Sequence, residues 1–255
     1  MIKPSNYIDN SKWDKDPKKI ESREQTIILP AQQIFGKSLP PDKQYWAMCS
    51  SYFNNEGKTT GELHQMLDAG LITSDQFYGV DNQQHIIDKN KEYYPDINWI
   101  CNDFVKAMKK ASIEGTFNPA IINLDNMRQY KKATKYLKKL LSFIDYNVFG
   151  ELLVISNIML NNPRGNHLKV DSIKIIVNYL LKIYSIPDHW TIYPQYYEYD
   201  GTGDRSRTIM GTLLFIKSKH KEIKITKGRR MSLTKVMKSD IILVNNKNKR
   251  NKRNK

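Results

Sequence analysis

Cysteine is scarce in this chain of 255 residues, with only Cys49 and Cys101. Two thiols so far apart make neither a disulfide framework nor a zinc site, both of which need more ligands at closer spacing. Both are expected to be buried thiols in or at the ends of strands, where unpaired cysteine usually lies. The five histidines, His64, His85, His167, His189 and His220, have no metal-ligand spacing either, so no metal is expected. Long apolar runs are also missing. None approaches the roughly 18–20 residues needed to cross a bilayer, so no membrane partner is expected. Met1 to Lys19 is polar and lacks the apolar stretch of a signal peptide, which makes an intracellular, cytoplasmic setting the default. There is no internal repeat. Acidic balance is absent too: the formal net charge is +15.

That charge is unevenly placed. From Lys217 to Lys255 there are fifteen Lys/Arg against Glu222 and Asp240, a net of +13, which leaves +2 for the first 216 residues. A basic arm on a nearly neutral body implies phosphate contacts made by the arm and not by a basic cleft. Lys, Asn and Ile share A/T-rich codons, so a merely solvated tail enriched by coding bias is the alternative. Residues 218–255 are low in hydrophobicity apart from Ile241 to Val244 and read as disordered.

What is present, at 40% hydrophobic residues, is enough to fill one α/β core. Residues 1–39 read as an N-terminal extension, with Thr26-Ile27-Ile28-Leu29 a short apolar stretch ended by Pro30. Residues 40–217 read as the domain and 218–255 as the tail. Within the domain, Tyr45 to Ser50, Gln76 to Asp81, Ile97 to Cys101, Pro119 to Leu124 and Phe149 to Ile158 are strand-like runs. Between them lie helical patterns over Thr60 to Leu71, Gln83 to Tyr93, Phe104 to Ala111 and Arg128 to Ile144. Asp171 to Tyr184 predicts a further helix. This alternation argues a mostly parallel sheet with helices on both faces. His189 to Tyr199 and Thr208 to Lys217 follow with no helix between them, which predicts an antiparallel pair closing a sheet of about seven strands.

Several positions carry chemistry. Phe77-Tyr78-Gly79-Val80-Asp81 is an apolar strand ending in an acid, about twenty residues after a glycine-containing loop, a setting for a carboxylate that accepts ribose hydroxyls. Capping of the next helix is the plainer role for Asp81, and also for Asp103 in Cys101-Asn102-Asp103-Phe104. Glu56-Gly57-Lys58-Thr59-Thr60 has the Lys and Thr of a phosphate-binding loop, and Ile121 to Asp125 would serve as its magnesium strand. Tyr52, however, stands where the tight backbone curl requires glycine. Tyr193, Tyr196, Tyr197 and Tyr199 are either a stacking surface for bases or ordinary strand residues. Asn161 to Asn166 follows the fifth strand near the same sheet edge.

The order of elements over residues 40–217 resembles the class I, Rossmann-like S-adenosylmethionine (SAM)-dependent methyltransferases, in which the last strand inserts antiparallel to the rest. The resemblance implies SAM as cofactor. It implies that Asp81, with Asn82, binds the ribose, and that Asn102, Asp103 and Phe104 form the adenine corner. It implies Ser50, Ser51 and Gly57 at the methionine moiety, although the family's acid followed by closely spaced glycines is absent here. Asp125 and Asn126, after the fourth strand, stand where family members meet the acceptor. Neither the Pro-Pro-aromatic motif of amino-methylating enzymes nor a Pro-Cys nucleophile is present. The resulting expectation is methyl transfer to nucleic acid, DNA or RNA, engaged through the basic tail. A catalytically inactive binding scaffold and a ParA-like P-loop ATPase are the alternatives, and the oligomeric state is left open.

Overall fold

The computed structural model describes residues 17–49, 61–148, 150–159, 190–199 and 208–217. The expected glycine loop, the helix over Asp171 to Tyr184, Asn161 to Asn166 and the basic tail lie outside these residues.

The strands are β1 (Gln44–Met48), β2 (Phe77–Asp81), β3 (Asn98–Cys101), β4 (Pro119–Gln129), β5 (Leu152–Met159), β6 (Trp190–Tyr199) and β7 (Thr208–Lys217). They form one sheet in the order β3-β2-β1-β4-β5-β7-β6. The first five pair in parallel, and β7 runs antiparallel between β5 and β6. The expected seven-strand sheet with a terminal antiparallel pair is therefore present.

The sequence of β1 explains its central place. Gln44, Tyr45, Trp46 and Ala47 are all buried, as a parallel strand covered on both faces requires. Alternation then divides the core between two faces. Trp46, Val80, Ile122, Val154 and Phe215 point to one layer. Tyr45, Phe77, Ile121, Leu153 and Leu214 point to the other.

The first layer is closed by α5 (Phe104–Ile113) and α6 (Tyr130–Asn147), through Met108, Leu137, Leu140 and Ile144 among others. In it Trp46 stacks on Tyr78 with ring centroids 4.8 Å apart. The second layer is closed by α2 (Leu29–Phe35), which follows the N-terminal helix α1 (Pro17–Arg23), and by α3 (Gly61–Asp68) and α4 (Gln84–Tyr93). Residues 27–39, assigned by composition to an extension, place Ile27, Ile28, Ala31, Ile34 and Leu39 in this layer.

Local signals account for most boundaries. Gly70, at φ 61°, ends the turn after α3, where the Leu71 amide donates to the Met66 carbonyl. Before α5, Asp103 Oδ1 accepts the Lys106 N–H at 3.1 Å. The apolar stretch before Pro30 differs from its expectation, because the chain stays helical through it. Glu24–Ile28 widens into a π turn, and the Leu29 amide donates to the Glu24 carbonyl. That widening accommodates a proline ring that would clash in a regular α-helix. β4 also runs on to Gln129, five residues past its expected end. Among the described residues, no helix is long and apolar enough to cross a membrane.

Candidate functional site

In a sheet of this order the strand sequence turns back between β1 and β4, and the crevice at the carboxyl ends of those strands is where open α/β sheets bind ligands. Of the residues singled out above, Asp81, Asn82, Asn102 and Asp103 lie at the carboxyl ends of the neighbouring strands β2 and β3.

Asp81 closes β2 and is half-buried. Its Oδ1 accepts the Gln83 N–H at 2.7 Å, so it braces the turn into α4 without being that helix's own cap residue. Burial pushes its carboxyl above the usual range, opposed by the Gln83 amide, by His85 and by the Asn82 amide. The Asn102 N–H donates to the Asp81 carbonyl at 2.9 Å, carrying the β2–β3 pairing one step past the end of β3. This brings Asp81, the exposed Asn82 and the half-buried Asn102 together at one edge.

Asp103 lies next to them and is the helix cap already described. Its own amide is held by Asn102 Oδ1 at 2.8 Å. Phe104 turns inward. It is 2% exposed and meets Trp46 edge-on at 6.5 Å, so its ring belongs to the core.

Beside β2, Cys49 follows β1 and its amide donates to the Val80 carbonyl at 3.0 Å. Its thiol is buried, and desolvation raises its pKa well above the ordinary value, with Asp81 and Glu62 adding to the effect. Cys101 corrects its expectation: it is exposed, because it ends the edge strand β3.

Asp125 is half-buried on β4, opposite Asn157 of β5, and Asn126 pairs with Ile158 in the same ladder. Ser50, Ser51 and Gly57 lie outside the described residues. Among the described residues, no group of three or more His, Cys, Asp and Glu side chains is placed to hold a metal ion.

The structure adds a cluster that sequence reasoning missed. Glu62, in the first turn of α3, is 4% exposed. Its Oε1 accepts from the Tyr45 hydroxyl of β1 at 2.5 Å, and its Oε2 accepts from Asn123 Nδ2 of β4 at 2.6 Å. Burial raises the Glu62 pKa, while the charge of Arg23 and the two hydrogen bonds pull it down. Tyr45 is pushed well up by burial, then by the Glu62 charge. Asn123 is 2% exposed, and its Oδ1 is buried with no hydrogen-bond partner among the described residues. Two signals pointed here. Glu62 stands four residues before Met66, on the apolar face of a helix. Asn123 interrupts the apolar run of β4.

No protein-family model matches the chain, and no curated protein matches it. Solved structures do. The plantazolicin methyltransferase BamL, in complex with S-adenosylhomocysteine (SAH) and a triazolic desmethylPZN analogue, aligns over 82% of this chain and 88% of its own, at 10% identity and a TM-score of 0.49. The N-methyltransferase NodS from Bradyrhizobium japonicum WM9 aligns over 81% and 99%, at 11% identity and 0.46. An O-methyltransferase from Bacillus cereus, in complex with SAH, aligns over 82% and 96%, at 8% identity and 0.45. Identities this low concern the fold alone. The strand order itself, with β7 inserted antiparallel between β5 and β6, is that of the Rossmann-like methyltransferase fold.

Proposed function

We propose that this chain is a SAM-dependent methyltransferase whose cofactor lies across the carboxyl ends of β1, β2 and β3. The observation that carries this reading is Asp81, a half-buried carboxylate ending β2, the strand next to β1 at which the order turns back. An ionised carboxylate offers about four lone-pair sites. The amides of Asn82 and Gln83 engage only part of that capacity. The residue therefore fits a nucleoside that presents two hydroxyls. Asn82, Asn102 and Asp103 border the same edge and would flank the adenosine. Ser50, Ser51 and Gly57 would meet the methionine moiety. When bound, SAM supplies an activated methyl group, and Asp125 and Asn126 of β4 would stand at the acceptor corner.

Removing the carboxylate strands ribose hydroxyls in a partly closed site, at a cost of about 1–3 kcal/mol. Calorimetry should show Asp81→Ala binding SAH about 5- to 150-fold more weakly than the unaltered chain. Equal affinities would reject the ribose role. No SAH binding by the unaltered chain would reject the reading and favour a scaffold with this fold, or a nucleotide hydrolase if magnesium and ATP bind instead. For the acceptor we propose nucleic acid, supported by the net +13 carried from Lys217 onward.

A further inference from the structure

We propose that Glu62 is the positioning residue of this site, tying the first turn of α3 to the adjoining strands β1 and β4 so that the cofactor edge and the acceptor edge at their carboxyl ends keep a fixed relation. The ligand side of this inference rests on the function proposed above.

Each oxygen of Glu62 accepts from a different strand, Oε1 from Tyr45 and Oε2 from Asn123. The two strands are neighbours, with Ala47 of β1 opposite Asn123 of β4. They are also the pair between which the strand order reverses. Asp125, at the proposed acceptor corner, lies two residues beyond Asn123 on the same face of the strand, near enough for its charge to act on Glu62. Arg23 of α1 brings an opposite charge toward the same point. A carboxylate at this buried position is costly unless it is paired and hydrogen-bonded. An apolar side chain at the same place on α3 would tie neither strand.

Asn123 makes the arrangement testable. Its Nδ2 is held by Glu62, while its Oδ1 has no partner among the described residues. In Glu62→Gln, rotation of the Asn123 amide lets Oδ1 accept from the new Nε2, and the Tyr45 bond is kept. Glu62→Leu has no such recourse and leaves two buried donors unpaired.

The experiment compares the full chain with Glu62→Leu, Glu62→Gln, Asn123→Leu and Ile87→Val. It reads SAH affinity by calorimetry, Tm, and amide hydrogen exchange over residues 61–64 and 121–125. Ile87 is a fully buried residue of α4 on the same face, so its truncation is the control for stability loss alone. The expected result is SAH affinity weakened about tenfold or more in Glu62→Leu and Asn123→Leu. Glu62→Gln should stay within a few-fold of the unaltered chain, and Ile87→Val should be unchanged despite a lowered Tm. Exchange over both segments should quicken in the two leucine variants only. Asn123→Leu keeps the Tyr45–Glu62 bond and serves if Glu62→Leu fails to fold. Affinity within twofold in a folded leucine variant, or an equal loss in Ile87→Val, would overturn the proposal. If the unaltered chain binds no SAH, the proposed function falls, and hydrogen exchange alone decides for or against Glu62.

Discussion

At the carboxyl end of β2, burial holds the Asp81 proton more tightly in the folded chain than in the unfolded one. The sign follows from linkage. A carboxyl whose folded pKa is raised contributes most below its unfolded value, near pH 4, and that contribution is lost as pH rises through the folded pKa. Glu62 is raised by burial and acts in the same sense. Asp81→Asn should therefore flatten the fall in Tm above about pH 4 without abolishing it, as a series of melts from acid to neutral pH would show. An unaltered slope would mean that the Asp81 carboxyl is not perturbed. Close by, Gly79 lies under the Trp99 indole, whose Cζ3 and Cε3 occupy the place of a β-carbon. The indole is held there by its Nε1 bond to the Tyr94 carbonyl at 2.8 Å. Gly79→Ala should destabilise the fold by about 1–3 kcal/mol through overpacking, measurable by urea unfolding. A neutral substitution would show that the indole can move aside.

Among the elements, α5 shows a local rule producing the geometry at the site edge. Asp103 caps its first turn through the Lys106 amide, and Phe104 next to it anchors the helix in the core. Asp103→Ala should cost about 1 kcal/mol of stability. If the residue also contacts the adenine, SAH affinity falls beyond what Asp103→Asn, which keeps a capping side chain, produces. Equal affinities in the two variants would leave capping as the role of Asp103. The paired segments Pro17–Arg23 and Leu29–Phe35 teach a different lesson. Pro30 reads as a terminator in isolation, yet the helix passes through it, because a π turn opens the backbone ahead of the ring. The gain that supports this arrangement is tertiary: Ile27, Ile28, Ala31 and Ile34 are buried in the second layer.

Across the whole molecule, charge and core are separated in the sequence: the described sheet and helices precede the run of basic residues that follows Ile216. If that run engages phosphates, each contact adds roughly 0.9 to the slope of log affinity against log salt on duplex DNA. A chain ending at Lys217 should bind DNA and RNA more weakly, with a shallower salt dependence, and bind SAH unchanged. Salt titrations of both chains on both probes would check this. Equal slopes would make the tail a bystander and direct attention to a protein or small-molecule acceptor.

Periodicity and punctuation alone determined the seven strands, most of the helices between them, the antiparallel final pair, and the placing of Asp81, Asn102 and Asp103 at strand ends. Each of these depends on neighbours in the chain: alternation in β1, a glycine after α3, a capping acid before α5. Only the tertiary structure decided which strands adjoin, that the order turns back between β1 and β4, that Cys101 is exposed at an edge, and that Ile27, Ile28, Ala31, Ile34 and Leu39 belong to the core. It alone brought Glu62 to Tyr45 and Asn123, residues 17 and 61 positions away. A hydrogen bond between distant segments leaves no period in the sequence. It leaves only a polar residue at an apolar position, whose meaning appears when the sheet places its partner beside it.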